Sequence, residues 1–394
     1  MAVTILESPQ SFTPSDNELE WLISSDQFLQ ANFEFKIELY IDGVLSSVDK
    51  LFTKPNGVVK YNASELVKTT YQIPNINTDI SVSADRIEST GTLKEVYIVA
   101  TEVYGDPQAE EASATSDTVN VWKSSLSDIN FIDFDSTDYI PNAIGKSGLT
   151  IENNWKYWVD IEKSNYLCFY NNASQIVSVT LRTFDASGTQ IDQEGVSFGT
   201  LDKDVYIANI SLKEWAIDTT DAVYYRVYIA FGIGTAINNS QIQKDYYINR
   251  PCISDRTVYF FNKLGGIDSQ IFNKRKTSNR TFTRNQRTRN LTTINPDTQN
   301  TILSSKFRGR DINFLNQSQN SITLMSDWIE QDQIVWLVQE LLESPLVWIE
   351  DENDNKIAYH VTNMSESEPQ ERYEELSQLV IDLQLSFKSK SVLF

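Results

Sequence analysis

The sequence predicts a mainly β chain: two β-sandwich modules at 1–124 and 125–250, then an α+β domain at 251–394 with one helix packed on an antiparallel sheet. Three observations carry this expectation. Short segments alternate apolar and polar residues with the period of two that puts successive side chains on opposite faces of a sheet. Turn signals such as Asp42-Gly43 and Lys54-Pro55-Asn56-Gly57 separate them at the spacing of all-β domains. One stretch departs from this rhythm: Ile334, Leu337, Val338 and Leu341 fall at i, i+3, i+4 and i+7, and Ser344-Pro345 ends the helix they imply.

In the first module Phe33, Phe35, Ile37, Leu39 and Ile41 alternate with Glu34, Lys36, Glu38 and Tyr40, and Asp42-Gly43 turns the chain into Val44 to Phe52. Glu95 to Tyr104 and Thr118 to Trp122 read as further strands, and the Gly, Ala, Ser and Glu rich stretch from Gly105 to Ser116 reads as a long hairpin loop. This spacing suggests a sandwich of the immunoglobulin or fibronectin type III kind. The second module repeats the style, with strands expected at Trp155 to Ile161, Tyr166 to Tyr170, Ile176 to Phe184, Val205 to Ile210 and Ala222 to Phe231. Asp185-Ala186-Ser187-Gly188 is a turn between two of them. In the last domain Thr257 to Phe261, Leu346 to Glu350, Ile357 to Val361 and Leu379 to Phe387 are strands, and Leu264-Gly265-Gly266 is a break.

Composition narrows the function. A chain of 394 residues suits roughly two to four domains. With 18 Tyr, 19 Phe and 8 Trp it can build cores despite a net charge of −21, which separates it from disordered acidic chains. Cys168 and Cys252 lack metal-ligand spacing and read as buried, reduced thiols. The opening residues lack the basic and apolar regions of a secretory signal, and no run approaches the roughly 18 apolar residues of a membrane span. A protein made in a cytoplasm and staying soluble, or carried out by an assembly, is expected.

Catalytic chemistry finds few footholds. The chain holds a single histidine, His360, which reads as a satisfied structural residue within a strand and has no second His to build a relay. Fifty-four acids make proximity of two carboxylates in sequence uninformative for glycoside hydrolysis. Asp351, Asn353 and Asn355 match the first ligands of a calcium loop, but Lys356 stands where the sharp turn wants Gly and Thr362 where it wants Glu, so a solvated turn is expected. Asp133, Asp135 and Asp138 form a looser acidic cluster. Gly232-Ile233-Gly234 is too short for a dinucleotide fingerprint and reads as a strand end. No enzyme activity, cofactor or metal is expected.

Charge is partitioned along the chain. Residues 250–310 hold thirteen Lys or Arg against three Asp, a local charge of +10 that leaves −31 for the rest. Phe272, Phe282 and Phe307 interleave the basic residues, and Thr281 and Thr283 alternate, which predicts exposed strands or a mobile hairpin. Three readings stand side by side: a solvated strand face, contact with an acidic face of a neighbouring subunit, or a nucleic-acid groove, the last opposed by the acidic remainder. The partner-contact candidates are Lys274, Arg275, Lys276, Arg280, Arg284, Arg287, Arg289, Arg308 and Arg310, with Trp328 and Trp336 as core or interface aromatics.

Three patches together resemble a family of structural proteins of tailed phages that infect Bacteroidetes. They are FEFKIELYIDG with KPNG (Phe33 to Gly43, Lys54 to Gly57), RPCISDRTVYFFNKLGGIDSQIF (Arg250 to Phe272) and ELLESPLVWI (Glu340 to Ile349). The middle module has no counterpart in the family pattern. The resemblance implies a non-enzymatic virion protein of the tail, tail ring or baseplate, made in the bacterial cytoplasm. Such a protein assembles as a symmetric homo-oligomeric ring and docks other tail or portal-proximal proteins. The alternative expectation is a host-surface adhesin or carbohydrate-binding module carried on the tail, with Trp155, Tyr157 and Trp158 stacking on a host glycan.

Overall fold

The computed structural model describes residues 3–71, 87–139, 148–150, 155–232, 242–250, 256–274, 276–288, 292–295, 297–303, 311–353, 355–363, 376–387 and 389–390. The chain is mainly β and divides into two compact units, 1–250 with 261–269, and 251–260 with 270–394.

The first unit begins with the most strongly alternating segment. Glu34–Ile41 buries Phe35, Ile37, Leu39 and Ile41, and pairs with Val44–Leu51 around a turn in which Asp42 and Gly43 both adopt positive φ. That backbone matches the right-handed strand twist and is tolerated by Asp and Gly. The hairpin belongs to a six-stranded sheet, ordered Phe12–Pro14, Val119–Trp122, Leu93–Gly105, Glu34–Ile41, Val44–Leu51, with Gln108–Thr115 also paired to Leu93–Gly105. A three-stranded sheet of Thr4–Glu7, Glu20–Ser24 and Val58–Asn62 shares its core, where Trp21, Ile23, Val59 and Tyr61 join Phe35, Ile37, Val96 and Ile98. Gln108–Thr115 is a strand in place of the expected loop. Its Glu and Ala content is poor in strand formers and most of its side chains are exposed, so backbone pairing with the long neighbouring strand holds it.

A five-stranded sheet follows, ordered Trp158–Asp160, Ile242–Asn249, Tyr224–Phe231, Gln175–Phe184, Gln190–Leu201. Beside it a three-stranded sheet joins Tyr166–Asn171 and Asp204–Asn209 to Ile87–Ser89, a strand from the first 124 residues. Two of these strands, Ile242–Asn249 and Gln190–Leu201, have no clear alternation in sequence. Gln190–Leu201 carries Gly195 and Gly199 and lies at the sheet edge, where only one neighbour is needed. The Phe12 ring stacks between Trp122 (3.9 Å) and Tyr170 (4.0 Å), so aromatic packing runs from the N-terminal strands into the second set of sheets.

The expected break at Leu264-Gly265-Gly266 is a turn seated deep in this unit. A Cβ on Gly265, whose φ is +78°, would lie 2.3 Å from the Lys123 carbonyl oxygen; one on Gly266 would lie 2.0 Å from that of Leu149. Both obstacles are backbone, so neither can rotate away. Side chains complete the seat. Trp122 Nε1 donates to the Leu264 carbonyl (2.8 Å), and Asn262 Nδ2 donates to the Leu149 carbonyl (3.0 Å) and to the buried Asp268 (2.7 Å). Thr150 Oγ1 donates to the other Asp268 oxygen (2.9 Å) and accepts from Lys244 Nζ (2.9 Å).

The second unit is an antiparallel sheet of eight strands. Its order is Ile267–Phe272, Arg256–Phe261, Val347–Glu350, Lys356–Val361, Val380–Leu385, Asp311–Met325, Lys276–Thr288, with Ser389–Lys390 also paired to Asp311–Met325. The helix forms at Gln331–Glu340 and buries Ile334, Trp336 and Leu337, the Trp336 ring lying 5.6 Å from that of Phe260. Gln333 Nε2 donates to Gln270 Oε1 (3.0 Å), a hydrogen bond between two buried polar side chains. The last long strand ends at Leu385, so Phe387, expected on its buried face, is exposed.

Gly266→Ala should destabilise the protein by on the order of 3 kcal/mol, because overpacking against fixed backbone cannot relax. Gly199→Ala, in open space at φ +70°, should cost only roughly 1 kcal/mol of backbone strain. Guanidinium unfolding midpoints of the two variants distinguish these costs; equal shifts would show that the turn is not tightly seated.

Candidate functional site

Of the basic residues predicted as a contact surface, Lys276, Arg280, Arg284 and Arg287 fall on one strand of a long hairpin. Lys276–Thr288 pairs with Asp311–Met325 in antiparallel register from Lys276 opposite Leu324 to Thr288 opposite Asp311, with one irregularity between Asn285 and Gln286. Near its root the second strand also pairs with Val380–Leu385, at Ser321 to Met325. Beyond Gln317, among the described residues, the two strands pair only with each other. Arg284 to Thr288 thus continue the ribbon roughly 17 Å past the sheet at about 3.3 Å per residue. Thr292–Ile294 and Thr301–Leu303 form a smaller hairpin further along the chain.

Charge on this ribbon is one-sided by strand. Lys276–Thr288 carries Lys276, Arg280, Arg284 and Arg287 and no acid, whereas Asp311–Met325 carries Asp311 and no base. Arg280 is exposed and its Nε donates to Asn320 Oδ1 directly across the ladder (2.7 Å), a neutral partner, and no counter-ion meets it among the described residues. Loss of hydration, and then the charge of nearby Arg256, push the Lys276 ammonium below its ordinary value. Lys274, at the root, does find a counter-ion in Asp327 (3.1 Å). Desolvation raises the Asp327 carboxyl, but the Trp328 backbone N–H together with Lys274 and Asn273 outweighs it, and the net shift is downward. Trp328 and Phe282 are 60% and 58% exposed, so two large aromatics lie open on the same hairpin and at its root. Trp336, by contrast, is core. The backbone places Arg284 opposite Asn316 and Arg287 opposite Ile312; Arg275, Arg289, Arg308 and Arg310 lie outside the described residues.

The other sequence candidates separate cleanly. Asp351 accepts from the backbone N–H groups of Asn353 (2.8 Å) and Asn355 (2.9 Å) and from the Asn355 side chain, so its carboxylate braces its own turn. Asp135 caps a short turn of 3₁₀ helix by accepting from Thr137 N (2.8 Å). Among the described residues no group of three or more His, Cys, Asp or Glu is placed to hold a metal ion, and no helix is long and apolar enough to cross a membrane. His360 lies within the strand Lys356–Val361, as expected, and is exposed opposite Gln384. Gly232 follows the strand Tyr224–Phe231 directly, and Ile233, Gly234 and Cys252 lie outside the described residues.

Of the three aromatic candidates at 155–158, Trp155 is half-buried, and alternation sends Tyr157 inward and Trp158 outward. Tyr157 is buried; its hydroxyl donates to the Ser269 carbonyl (2.8 Å) and accepts from Ser269 N (2.6 Å). Trp158 is 45% exposed and ends a row of rings that no local spacing reveals. Phe184, Tyr224, Tyr247 and Trp158 occupy one rung across four strands of the five-stranded sheet. Their centroids are separated by 4.9, 5.6 and 5.6 Å in turn. On the next rung Arg226 grips Asp245 through two parallel hydrogen bonds, Nη2 to Oδ2 at 2.7 Å and Nε to Oδ1.

The chain matches no protein-family model and no curated protein.

Behind the row, the buried groups of the first unit set an alkaline limit. Burial pushes the Cys168 thiol up to about 12 and raises the Tyr157, Tyr225 and Tyr246 hydroxyls. The unfolded chain ionises its thiol near about 8.5, so above that pH the folded state binds more protons than the unfolded one. Stability contributed by the protonated thiol is complete below about pH 8.5 and declines as pH rises toward 12. The guanidinium midpoint should therefore fall between about pH 9 and 11, and Cys168→Ala should flatten the early part of that fall. A midpoint constant over this range would contradict the assignment.

Proposed function

We propose that the chain is a non-enzymatic structural subunit of a phage virion, in the tail, tail ring or baseplate, that assembles as a symmetric homo-oligomer through its basic ribbon. The 1–124 and 125–250 modules are read as immunoglobulin- or fibronectin-like sandwiches that dock other tail or portal-proximal proteins, and 251–394 as the assembly domain. The observation that carries this reading is the ribbon itself. A two-stranded ribbon is marginal alone in water, and this one exposes an edge strand with four basic positions and no acid. A partner of opposite charge supplies both missing elements, pairing and neutralisation.

Charge supports the choice of a second copy as the partner. The remainder of the chain sums to −31, so a second copy offers the acidic surface, and a ring requires one surface of a subunit to meet a different surface of the next. Exposed Trp328 and Phe282 add the aromatic component typical of interface centres. A bland reading competes: basic side chains on an edge strand also discourage unwanted pairing.

Charge reversal separates the two readings. Replacing Arg280, Arg284, Arg287 and Arg289 by Glu should convert oligomers to monomers in light scattering behind size exclusion, and raised salt should weaken the unmodified assembly. Unchanged mass in the variant would sink the contact assignment and leave the ribbon as a solvated edge.

A further inference from the structure

The outer face of the five-stranded sheet has a composition unlike a solvated sheet face. Reading across its rungs, the side chains are Phe184, Tyr224, Tyr247 and Trp158, then Arg182, Arg226 and Asp245, then Thr180, Tyr228 and Gln243. No Val, Leu, Ile or Met appears among these positions, although the opposite face of the same strands is built from Val177, Val179, Leu181, Val227 and Ile229. The aromatics are held in place by one another and by cations. Lys156 Nζ lies 4.9 Å from the Tyr247 ring centroid, and the Arg182 guanidinium lies 5.1 Å from that of Tyr228. Rings fixed in this way lose little freedom when a ligand settles on them.

We propose that this face binds a polysaccharide of uncharged pyranose sugars, with Trp158 and Tyr247 stacking against sugar rings and the Arg226–Asp245 pair and Gln243 bonding to hydroxyls. Aromatic faces attract the C–H faces of pyranose rings, while planar groups that both donate and accept match vicinal hydroxyls. Arg226 donates and Asp245 accepts, and within the pair their charges cancel. Protein interface cores are likewise rich in Tyr, Trp, Phe and Arg, so a protein partner is the competing occupant; the charge-neutral Arg226–Asp245 pair amid the rings favours a hydroxylated ligand. The chain's −21 charge disfavours a polyanion such as single-stranded nucleic acid, which would otherwise suit a row of rings on a sheet. The proposal rests on the first unit alone and does not depend on the basic ribbon.

The test is affinity gel electrophoresis of the full chain through a β-1,4-glucan, a β-1,3-glucan, a mannan and a dextran, with a heparin gel and a single-stranded DNA gel alongside. Retardation is expected in at least one neutral polymer and should be insensitive to salt. Trp158→Ala and Tyr247→Ala should each weaken it at least roughly tenfold, a loss of about 1.4 kcal/mol. Trp158→Phe should retain most of it, with circular dichroism and thermal melting of all three variants close to the unmodified protein. No retardation in any neutral polymer would overturn the proposal. So would retardation that survives Trp158→Ala, salt-sensitive retardation confined to heparin or DNA, or a change of oligomeric mass in place of glycan binding.

Discussion

The turn at Leu264-Gly265-Gly266 is the constraint on which the first unit depends. Two backbone carbonyls, those of Lys123 and Leu149, occupy the space a side chain would need, so only glycine lets the chain pass. The seat is polar as well as tight. Asp268 is buried, its two carboxyl oxygens accept from Asn262 and Thr150, and Lys244 reaches the same Thr150. A buried carboxylate without such donors would be strongly unfavourable. Through Trp122, which donates to Leu264 and stacks on Phe12, the same turn is linked to the aromatic column that continues to Tyr170.

The strands flanking this turn, Arg256–Phe261 and Ile267–Phe272, are also the first two strands of the eight-stranded sheet. The chain therefore passes between the two units at residues 250, 260 and 269, and each unit is made of two separate segments of the chain. At the other end of the sheet order the basic strand is an edge. Edge strands invite pairing, and their chemistry decides with what. Charge at four positions rejects another basic strand and leaves an acidic surface as the natural complement. The outer face of the five-stranded sheet offers the opposite chemistry, rings and paired charges suited to a neutral ligand. On the proposed reading, the subunit holds its neighbours by one of these surfaces and meets an outside ligand by the other.

Much of the fold was legible where one face of an element must be buried. Phe35, Ile37, Leu39 and Ile41 betray their strand because each faces the core, and Ile334 and Leu337 betray their helix for the same reason. Edge strands escaped: Gln108–Thr115 and Gln190–Leu201 are held by backbone pairing, which leaves little mark on side-chain choice. Ile242–Asn249 was hidden by Lys244 and Asp245. The structure explains both, since Lys244 spends its ammonium on Thr150 and the Tyr157 ring and Asp245 is gripped by Arg226. The basic hairpin was visible as charge, and its pairing register was not. The aromatic row was invisible, because its members come from positions 158, 184, 224 and 247 and meet only through the register of four strands. The distinction between Tyr157 and Trp158 was within reach, since adjacent residues of a strand point to opposite faces.

Negative-stain microscopy of the purified full chain separates ring assembly from a solitary subunit. Closed rings with a central channel and a single symmetry are expected, since a heterologous contact that closes generates a ring. Monomeric particles at every concentration, with no ring or arc among them, would contradict ring assembly.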